Sequence, residues 1–193
     1  MRKILTQEEK KKKSTRNKLI IGIILIIVLI ISTAGYAFFS RPDKEETKKK
    51  YGDTEFILTE SGYWYFQMSG GEFSTQFTPE DTQNISAPIF KNLYSYSGKP
   101  LFFSGESPGK QEIARNLIDF LSRYPQDACI DNYEKLCKED SPIKNCSQDN
   151  IIIFQEKNET EISQEENCIF ISALYSEQIR ASDAFIFKIL ELV

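Results

Sequence analysis

The chain has 193 residues, of which 40% are hydrophobic and 27% are charged, a composition typical of globular proteins. Residues 1–18 carry eight Lys or Arg side chains and two Glu, whereas the rest of the chain carries 16 basic and 26 acidic side chains. An acidic body argues against a nucleic-acid-binding main domain, which needs a basic face to neutralise phosphates. Because the chain contains no histidine, Ser-His-Asp and Cys-His catalysis and the usual zinc-hydrolase ligand sets are excluded.

An apolar stretch follows the basic head of residues 1–18. Residues 19–39, LIIGIILIIVLIISTAGYAFF, contain no ionisable group except the phenol of Tyr36. A helix of that length is about 31 Å long, close to the ~30 Å hydrocarbon core of a bilayer. Because short basic flanks stay in the cytoplasm, the pattern predicts a single-pass membrane helix with a cytoplasmic N-terminus and the C-terminal domain outside. Membrane lipid is the partner expected for residues 19–39.

A cleaved signal peptide is the alternative for the same segment. Gly35, Tyr36 and Ala37 fit the small-x-small cleavage pattern that follows an apolar run. The head and the apolar run are both long for a signal peptide, so we expect a retained signal anchor. Either interpretation exports the domain that follows.

The remaining chain reads as a linker and one domain. Residues 40–50 are polar and aperiodic, which suits a linker, and residues 51–193 are enough for one core. Runs rich in aromatic and β-branched residues predict strands, and the second and third of them predict a hairpin across SGG. The predicted strands are TEFILT, YWYFQM, EFSTQF, KPLFFSG, NIIIFQE, TEIS and NCIFISA.

Two segments show the apolar spacing of amphipathic helices. The first stripe consists of Ile113, Leu117, Phe120, Leu121 and Tyr124, and the second of Ile179, Ser182, Ile186, Ile189 and Val193. Strand groups interrupted by two main helices, without regular β-α-β alternation, indicate an α+β fold with antiparallel β-structure.

A Gly-Lys pair lies between a predicted strand and the first helix, in PLFFSGESPGKQE, residues 100–112. A phosphate-binding loop needs G-x-x-x-x-G-K followed by Ser or Thr. Here the spacing from Gly105 to Gly109 is one residue short, and Gln111 replaces the magnesium-binding hydroxyl. We therefore expect the start of a helix capped by Ser107, and no cofactor.

The same strand-loop-helix arrangement resembles the redox site of the thioredoxin fold. That resemblance implies a C-x-x-C pair at the start of the helix, whose low-pKa thiolates carry out the chemistry. The pair is absent, since no cysteine precedes residue 129. Without that pair, the alternative that the resemblance leaves is a degenerate thioredoxin-like domain.

The four cysteines are Cys129, Cys137, Cys146 and Cys168, all on the exported side. An even number in an oxidising compartment predicts two disulfides, with three possible pairings. Their spacing lacks the C-x-x-C knuckles of a zinc ribbon, so we expect no metal. We expect Cys137 to pair with Cys146, because their loop is short, which leaves Cys129 with Cys168.

Two further patterns bear on the surface. The aromatic run at residues 63–66 would suit carbohydrate or peptide binding if one alternate pair were exposed, but we expect a strand buried on both faces. Asn84, Asn145 and Asn158 each begin an N-x-S/T glycosylation acceptor pattern, which fits an exported domain.

No residue stands out as catalytic, cofactor-binding or metal-binding. Neighbouring acidic residues, such as Glu80 with Asp81 and Glu165 with Glu166, are typical of solvated turns rather than acid/base pairs. We therefore expect a non-catalytic, membrane-tethered interaction or accessory module of an envelope or surface assembly, with an envelope protein as its partner and no nucleic acid. An exported enzyme that uses carboxylate or hydroxyl groups is the other alternative.

Overall fold

The structure is a computed structural model that describes residues 16–31, 47–68, 70–130 and 141–193. The chain divides into two units, Met1–Glu45 and Glu46–Val193. In the first unit, residues 16–31 form helix α1. Within the described ranges, no helix combines the length and the apolarity needed to cross a membrane. Residues 32–39 of the expected span lie outside these ranges, so the membrane helix stays a prediction.

The second unit is an α+β domain. Its strands are β1 (Lys48–Tyr51), β2 (Thr54–Leu58), β3 (Trp64–Met68), β4 (Gly71–Thr75), β5 (Leu101–Ser104), β6 (Gln126–Asp127), β7 (Cys129–Ile130), β8 (Ile143–Lys144), β9 (Asn150–Glu156), β10 (Glu161–Glu165) and β11 (Cys168–Ala173). Its helices are α2 (Pro79–Thr82), α3 (Gly109–Leu117) and α4 (Gln178–Ile189). The domain begins earlier than the expected Tyr51, because the lysines of residues 48–50, which suggested a linker, form an exposed edge strand.

Strands β1 to β4 form an antiparallel sheet in that order. The expected hairpin is confirmed, since β3 pairs with β4 and places Phe66 opposite Phe73. Trp64 and Phe66 are buried, whereas Tyr65 between them is only half-buried. The aromatic run is therefore buried on one face and not on both, as the alternation of a sheet with one covered face requires.

The second sheet has the order β10-β11-β9-β5-β6. Strands β11, β9, β5 and β6 are mutually parallel, and β10 is antiparallel to β11. The expected antiparallel structure is thus correct for the first sheet and for the β10–β11 pair, whereas β5-α3-β6 is a parallel crossover unit. Parallel central strands are covered on both faces, which explains why β5, β9 and β11 are continuous apolar runs. Strands β7 and β8 form a separate parallel pair.

Helices α3 and α4 pack against each other and against both sheets. Phe187 of α4 contacts the rings of Phe56 and Phe66 in the first sheet, with centroids 6.2 and 5.9 Å away. These rings belong to the main core, which also includes Leu101 and Phe103 of β5. A smaller cluster around Phe102 covers the opposite face of the second sheet. The C-terminal helix is therefore a central part of the domain core.

Both helices end before the expected apolar stripes do. Helix α3 ends at Leu117 and passes into a 3₁₀ turn at Ile118–Phe120, which leaves Tyr124 exposed. Helix α4 ends at Ile189, and Val193 is exposed. In the sequence, apolar residues at helical spacing continue past the end of each helix. The helices nevertheless end there, because the chain turns.

The disulfide pairing differs from the expected one. Cys146 is bonded to Cys168, with a sequence separation of 22, and Cys129 is disulfide-bonded as well. The expected pairs Cys137–Cys146 and Cys129–Cys168 are therefore wrong, and Cys137 itself lies outside the described residues. Cys168 begins β11, and the backbone N–H of Asn167 donates to the Cys146 carbonyl at 3.0 Å. This backbone contact brings the two cysteines together, which loop length alone did not predict.

Removal of the Cys146–Cys168 disulfide should lower the stability of the domain. A loop of this length is worth about 3 kcal/mol in the chain-entropy model, because the bond restricts the unfolded chain. The Cys146→Ala, Cys168→Ala double variant of the full chain, purified in detergent, should therefore unfold at lower denaturant concentration under non-reducing conditions. An unchanged unfolding midpoint would contradict this pairing.

Candidate functional site

The Gly-Lys loop between β5 and α3 is fully engaged in internal contacts. Gly105 has a φ of 83°, and a side chain there would overlap the carbonyl oxygen of Phe154. A side chain at Gly109 would overlap Ser182 of α4, so this glycine allows the two helices to approach closely. Lys110 forms an ion pair with Asp127 of β6, with 2.7 Å between Nζ and Oδ1. These internal contacts account for the presence of both glycines and of the lysine, so a phosphate ligand is not needed to explain them.

Ser107 makes a side-chain hydrogen bond at the start of α3 but does not occupy the expected capping position. Its Oγ accepts the backbone N–H of Gly109 at 3.0 Å. The helix itself begins at Gly109, with Pro108 in the capping position, one residue later than expected. The side-chain hydrogen bond satisfies one of the backbone donors that a helix start leaves free.

A cleft of about 340 Å³ lies beside this loop, where residues that follow β5 and β11 meet the first sheet. Its walls include Tyr63, Gln76, Ser107, Glu112, Arg115 and Tyr175. Ser107 follows β5 and Tyr175 follows β11, so the cleft lies at the carboxyl ends of parallel strands. This is the usual position of ligand sites in sheets with parallel strands.

Two buried carboxyl groups lie at this place, Glu112 of α3 and Asp183 of α4. Their residues are 2% and 0% exposed, respectively. Oδ2 of Asp183 accepts the backbone N–H groups of Gln76 and Phe77 at 3.0 and 2.9 Å. The Glu112 carboxyl group is near enough to Asp183 for its charge to affect the Asp183 carboxyl. Asp183 therefore links α4 to the two residues that directly follow β4.

The surroundings of the two carboxyl groups raise both of their pKa values. Burial raises the pKa of Asp183 well above its ordinary value, and the neighbouring Glu112 raises it further. Burial also raises the pKa of Glu112, against the opposing effect of the Arg115 charge. Oδ1 of Asp183 is buried and accepts no hydrogen bond from the described residues. A proton on that oxygen avoids two adjacent buried negative charges.

The other polar groups of the cleft hold α3 against the edge of β4. Arg115 pairs with Glu112 and donates to Oγ and the carbonyl oxygen of Ser74 at 2.9 and 3.1 Å. Its guanidinium also lies over the ring of Tyr63, 4.4 Å from the centroid. The Asn116 side-chain amide accepts the Ser74 N–H at 2.7 Å and donates to its carbonyl at 2.8 Å. The described polar groups thus join α3 to the sheet, and both buried carboxyl groups contact other groups of the protein.

A second notable region surrounds Lys91, which is 9% exposed. Its Nζ donates to Oδ1 of Asn150 at 2.5 Å and to the carbonyl oxygen of Asn167 at 2.9 Å. It also lies 5.3 Å from the ring centroid of Tyr96. Burial lowers the pKa of Lys91 to about 8, and the charge of Lys99 contributes to the lowering. Lys91 fixes its segment to the start of β9 and to the turn before β11.

Two aromatic side chains next to Lys91 face solvent. Phe90 is 93% exposed and Tyr94 is 76% exposed. The segment that carries them is nevertheless held in place, because the backbone N–H groups of Phe90 and Lys91 donate to Oε1 of Gln164 at 2.8 and 3.3 Å. This segment therefore presents two large aromatic side chains to water from an ordered backbone.

Sequence reasoning missed these sites. Asp183 left a signal, since an acidic residue in the apolar run ASDAFIFKIL needs a buried partner. Phe90 and Lys91 could not be recognised from the sequence, because a single exposed aromatic residue follows no periodic pattern. Of the acidic pairs, Glu80 lies in α2, Glu165 ends β10, and Glu80, Glu165 and Glu166 are exposed. Asp81 accepts hydrogen bonds from the Thr78 N–H and hydroxyl, which hold the pKa of Asp81 below its ordinary value.

Replacement of Asp183 by Asn should reduce the dependence of stability on pH. Because the pKa values of Asp183 and Glu112 are raised, the folded chain keeps a proton that the unfolded chain releases above about pH 4. Stability should therefore be highest at acidic pH and should fall as the pH rises towards the raised values. Asn reproduces the protonated form, since its oxygen accepts both backbone N–H groups and its amide carries no charge.

Thermal unfolding of the full chain in detergent between pH 4 and 9 tests this expectation. Asp183→Asn should melt as high as the unmodified chain at pH 5 and higher than it at pH 9. Asp183→Ala is the matched control, and it should melt lower at every pH because it leaves two half-buried backbone N–H groups without this acceptor. Equal loss in both variants would show that Asp183 is ionised in the folded chain.

Comparison with known proteins found no likeness to the chain: no protein-family model matches it, and no curated protein or solved structure is significantly similar to it.

Proposed function

We propose that the chain is a membrane-tethered, extracytoplasmic interaction module of an envelope or surface assembly, and that its domain binds another protein through the segment containing Phe90 and Tyr94. Residues 19–39 anchor it in the membrane, residues 1–18 lie in the cytoplasm, and the domain lies outside. The role is accessory and non-catalytic. The observation that carries the proposal is the nearly complete exposure of Phe90 on a backbone that is held by side-chain hydrogen bonds.

The location is supported by charge, apolarity and disulfides. Eight of the 24 basic residues precede the apolar stretch, which places the head on the cytoplasmic side. In α1 the large apolar side chains from Leu19 to Ile31 are exposed around the whole helix, as expected for a helix that meets lipid on all sides. Cys129, Cys146 and Cys168 are all disulfide-bonded, which is typical of oxidising compartments.

The binding role is supported by the contrast between Phe90 and its neighbours. A side chain as apolar as Phe costs free energy when it is exposed, and burial against a partner recovers about 1.5 to 3 kcal/mol. Lys91 and Gln164 hold the backbone on either side of the ring, so little conformational entropy is lost when a partner binds. Aromatic anchors on rigid surfaces are the residues that dominate binding energy in protein interfaces.

The alternatives have weaker support. An exported carboxylate enzyme would rest on Glu112 and Asp183, but both residues are buried and their oxygens contact the protein itself. A degenerate thioredoxin-like domain would need reactive thiols, and no free thiol is present among the described cysteines. Neither alternative explains why Phe90 is exposed.

The orientation in the membrane can be tested in intact cells that produce the full chain. Protease added from outside should remove the domain and leave the first 18 residues protected, because the basic head stays in the cytoplasm. Cells opened before protease treatment are the control, and there the head should be digested too. Protection of the domain in intact cells would contradict export, and a mature chain that begins at Phe38 would contradict the anchor.

The binding surface can be tested by photo-crosslinking in the same cells. A photoreactive phenylalanine analogue at position 90 should form one discrete adduct with an envelope protein, because that ring lies in the interface. The matched control carries the analogue at Tyr124, another exposed aromatic position, and should form none. The adduct at position 90 should weaken when Tyr94→Ala is added. Equal adducts at both positions, or none at position 90, would contradict the proposal.

A further inference from the structure

We propose that Asn158 is an N-glycosylation site of the exported domain and the preferred acceptor among its three N-x-S/T sequences. The inference rests on the proposed export, since glycosylation of this pattern takes place on exported chains. The pattern at this position is Asn158-Glu159-Thr160. What distinguishes it from the other two is its place in the fold.

Asn158 lies in the four-residue connection between β9, which ends at Glu156, and β10, which begins at Glu161. These strands are not neighbours in the sheet, because β11 lies between them, so the connection passes over the end of β11 instead of forming a hairpin. Lys157 anchors one end through its backbone N–H, which donates to the Ala173 carbonyl at 3.2 Å. Residues 157–159 are exposed. The connection is therefore a surface loop with firmly held ends.

The Asn158 side chain is available for reaction. It forms no hydrogen bond with any described residue. An exposed ion pair between Lys157 and Glu161, 3.3 Å apart, joins the two ends of the loop. Thr160, whose hydroxyl completes the acceptor pattern, is half-buried. A transferase can thus reach the amide nitrogen and the hydroxyl in the folded domain.

The amide group of Asn145 is engaged in its own turn. Its Oδ1 accepts the Ser147 hydroxyl at 2.7 Å and the Gln148 N–H at 3.1 Å. Cys146, the middle residue of this pattern, is bonded to Cys168. A transferase would have to break the turn and displace a disulfide-linked residue in order to bind this sequence.

Asn84 is held by contacts to two other elements. Its Oδ1 accepts a hydrogen bond from Arg180 of α4 at 2.9 Å. Ser86, the third residue of the pattern, forms a parallel β-bridge with Glu161, and its carbonyl oxygen accepts the Ile162 N–H at 2.9 Å. The hydroxyl-bearing residue of this acceptor is part of the sheet edge, whereas Thr160 precedes β10.

The reaction is a glycosyl transfer from a polyprenyl-phosphate-linked or polyprenyl-diphosphate-linked oligosaccharide. The Asn158 amide nitrogen attacks the anomeric carbon and forms a C–N bond. The bond between that carbon and the phosphate oxygen breaks, and the phosphate leaves with the electron pair. The amide nitrogen gives up one proton, so no oxidant or reductant is needed.

Mass spectrometry of the full chain, purified from the membranes of its native host, tests the inference. The peptide that contains Asn158 should carry added hexose or acetylhexosamine masses. Asn158→Gln and Thr160→Ala should remove the added mass, whereas Thr160→Ser, which keeps the hydroxyl, should retain it. Asn145→Gln is the matched control and should leave the added mass unchanged.

Two results would overturn the inference: an unmodified Asn158 peptide, or an added mass that persists in Asn158→Gln. The protease experiment on intact cells separates these failures from failure of the proposed function. A domain that is digested from outside but carries no glycan overturns the glycosylation site and leaves the membrane-tethered module standing. A domain that is protected from protease and unmodified overturns both.

Discussion

The two hydrogen bonds that Asp183 accepts from the backbone of Gln76 and Phe77 are the constraint on which the architecture of the domain depends. Beyond the end of β4 these half-buried N–H groups have no strand partner, and an unsatisfied donor costs up to about 1 to 3 kcal/mol when it is fully buried. An acceptor on α4 solves this problem but buries a carboxyl group. Burial raises the pKa of both Asp183 and Glu112, which favours the protonated form there, and the close packing of Gly109 against Ser182 brings α3 next to α4.

This arrangement uses the polar groups of the cleft for structure. Arg115 and Asn116 close the free edge of β4, and Glu112 and Asp183 contact Arg115 and the adjoining backbone. A cleft at the carboxyl ends of parallel strands is a common place for chemistry, but here its groups have partners within the protein. In the exposed aromatic segment, by contrast, the backbone is held in place and the large side chains face solvent. Its backbone is held by Lys91 and Gln164, while the Phe90 side chain is 93% exposed. For this reason the proposed function is assigned to the segment and not to the cleft.

The sequence predicted the elements better than their arrangement. The hairpin of β3 and β4, the strands β5, β9 and β11, and both main helices were recognisable, because each is a local apolar pattern. The parallel order of the second sheet was missed, although continuous burial in IIIF and CIFIS is typical of parallel strands. The cysteine pairing was wrong because loop length described only the cost of closure. The pairing followed instead from the contact of Asn167 with the Cys146 carbonyl.

The sequence by itself determined the charge asymmetry, the apolar stretch of residues 19–39, the absence of histidine and the α+β class, because these depend on composition and on local periodicity. Tertiary structure alone decided which cysteines are joined, that Lys110 pairs with Asp127, that Glu112 meets Asp183, and that Phe90 is exposed while Phe66 is buried. The physical reason is the same in each case. Burial and proximity arise from contacts between residues that are distant in the chain, and one sequence read along its length carries no measure of those distances.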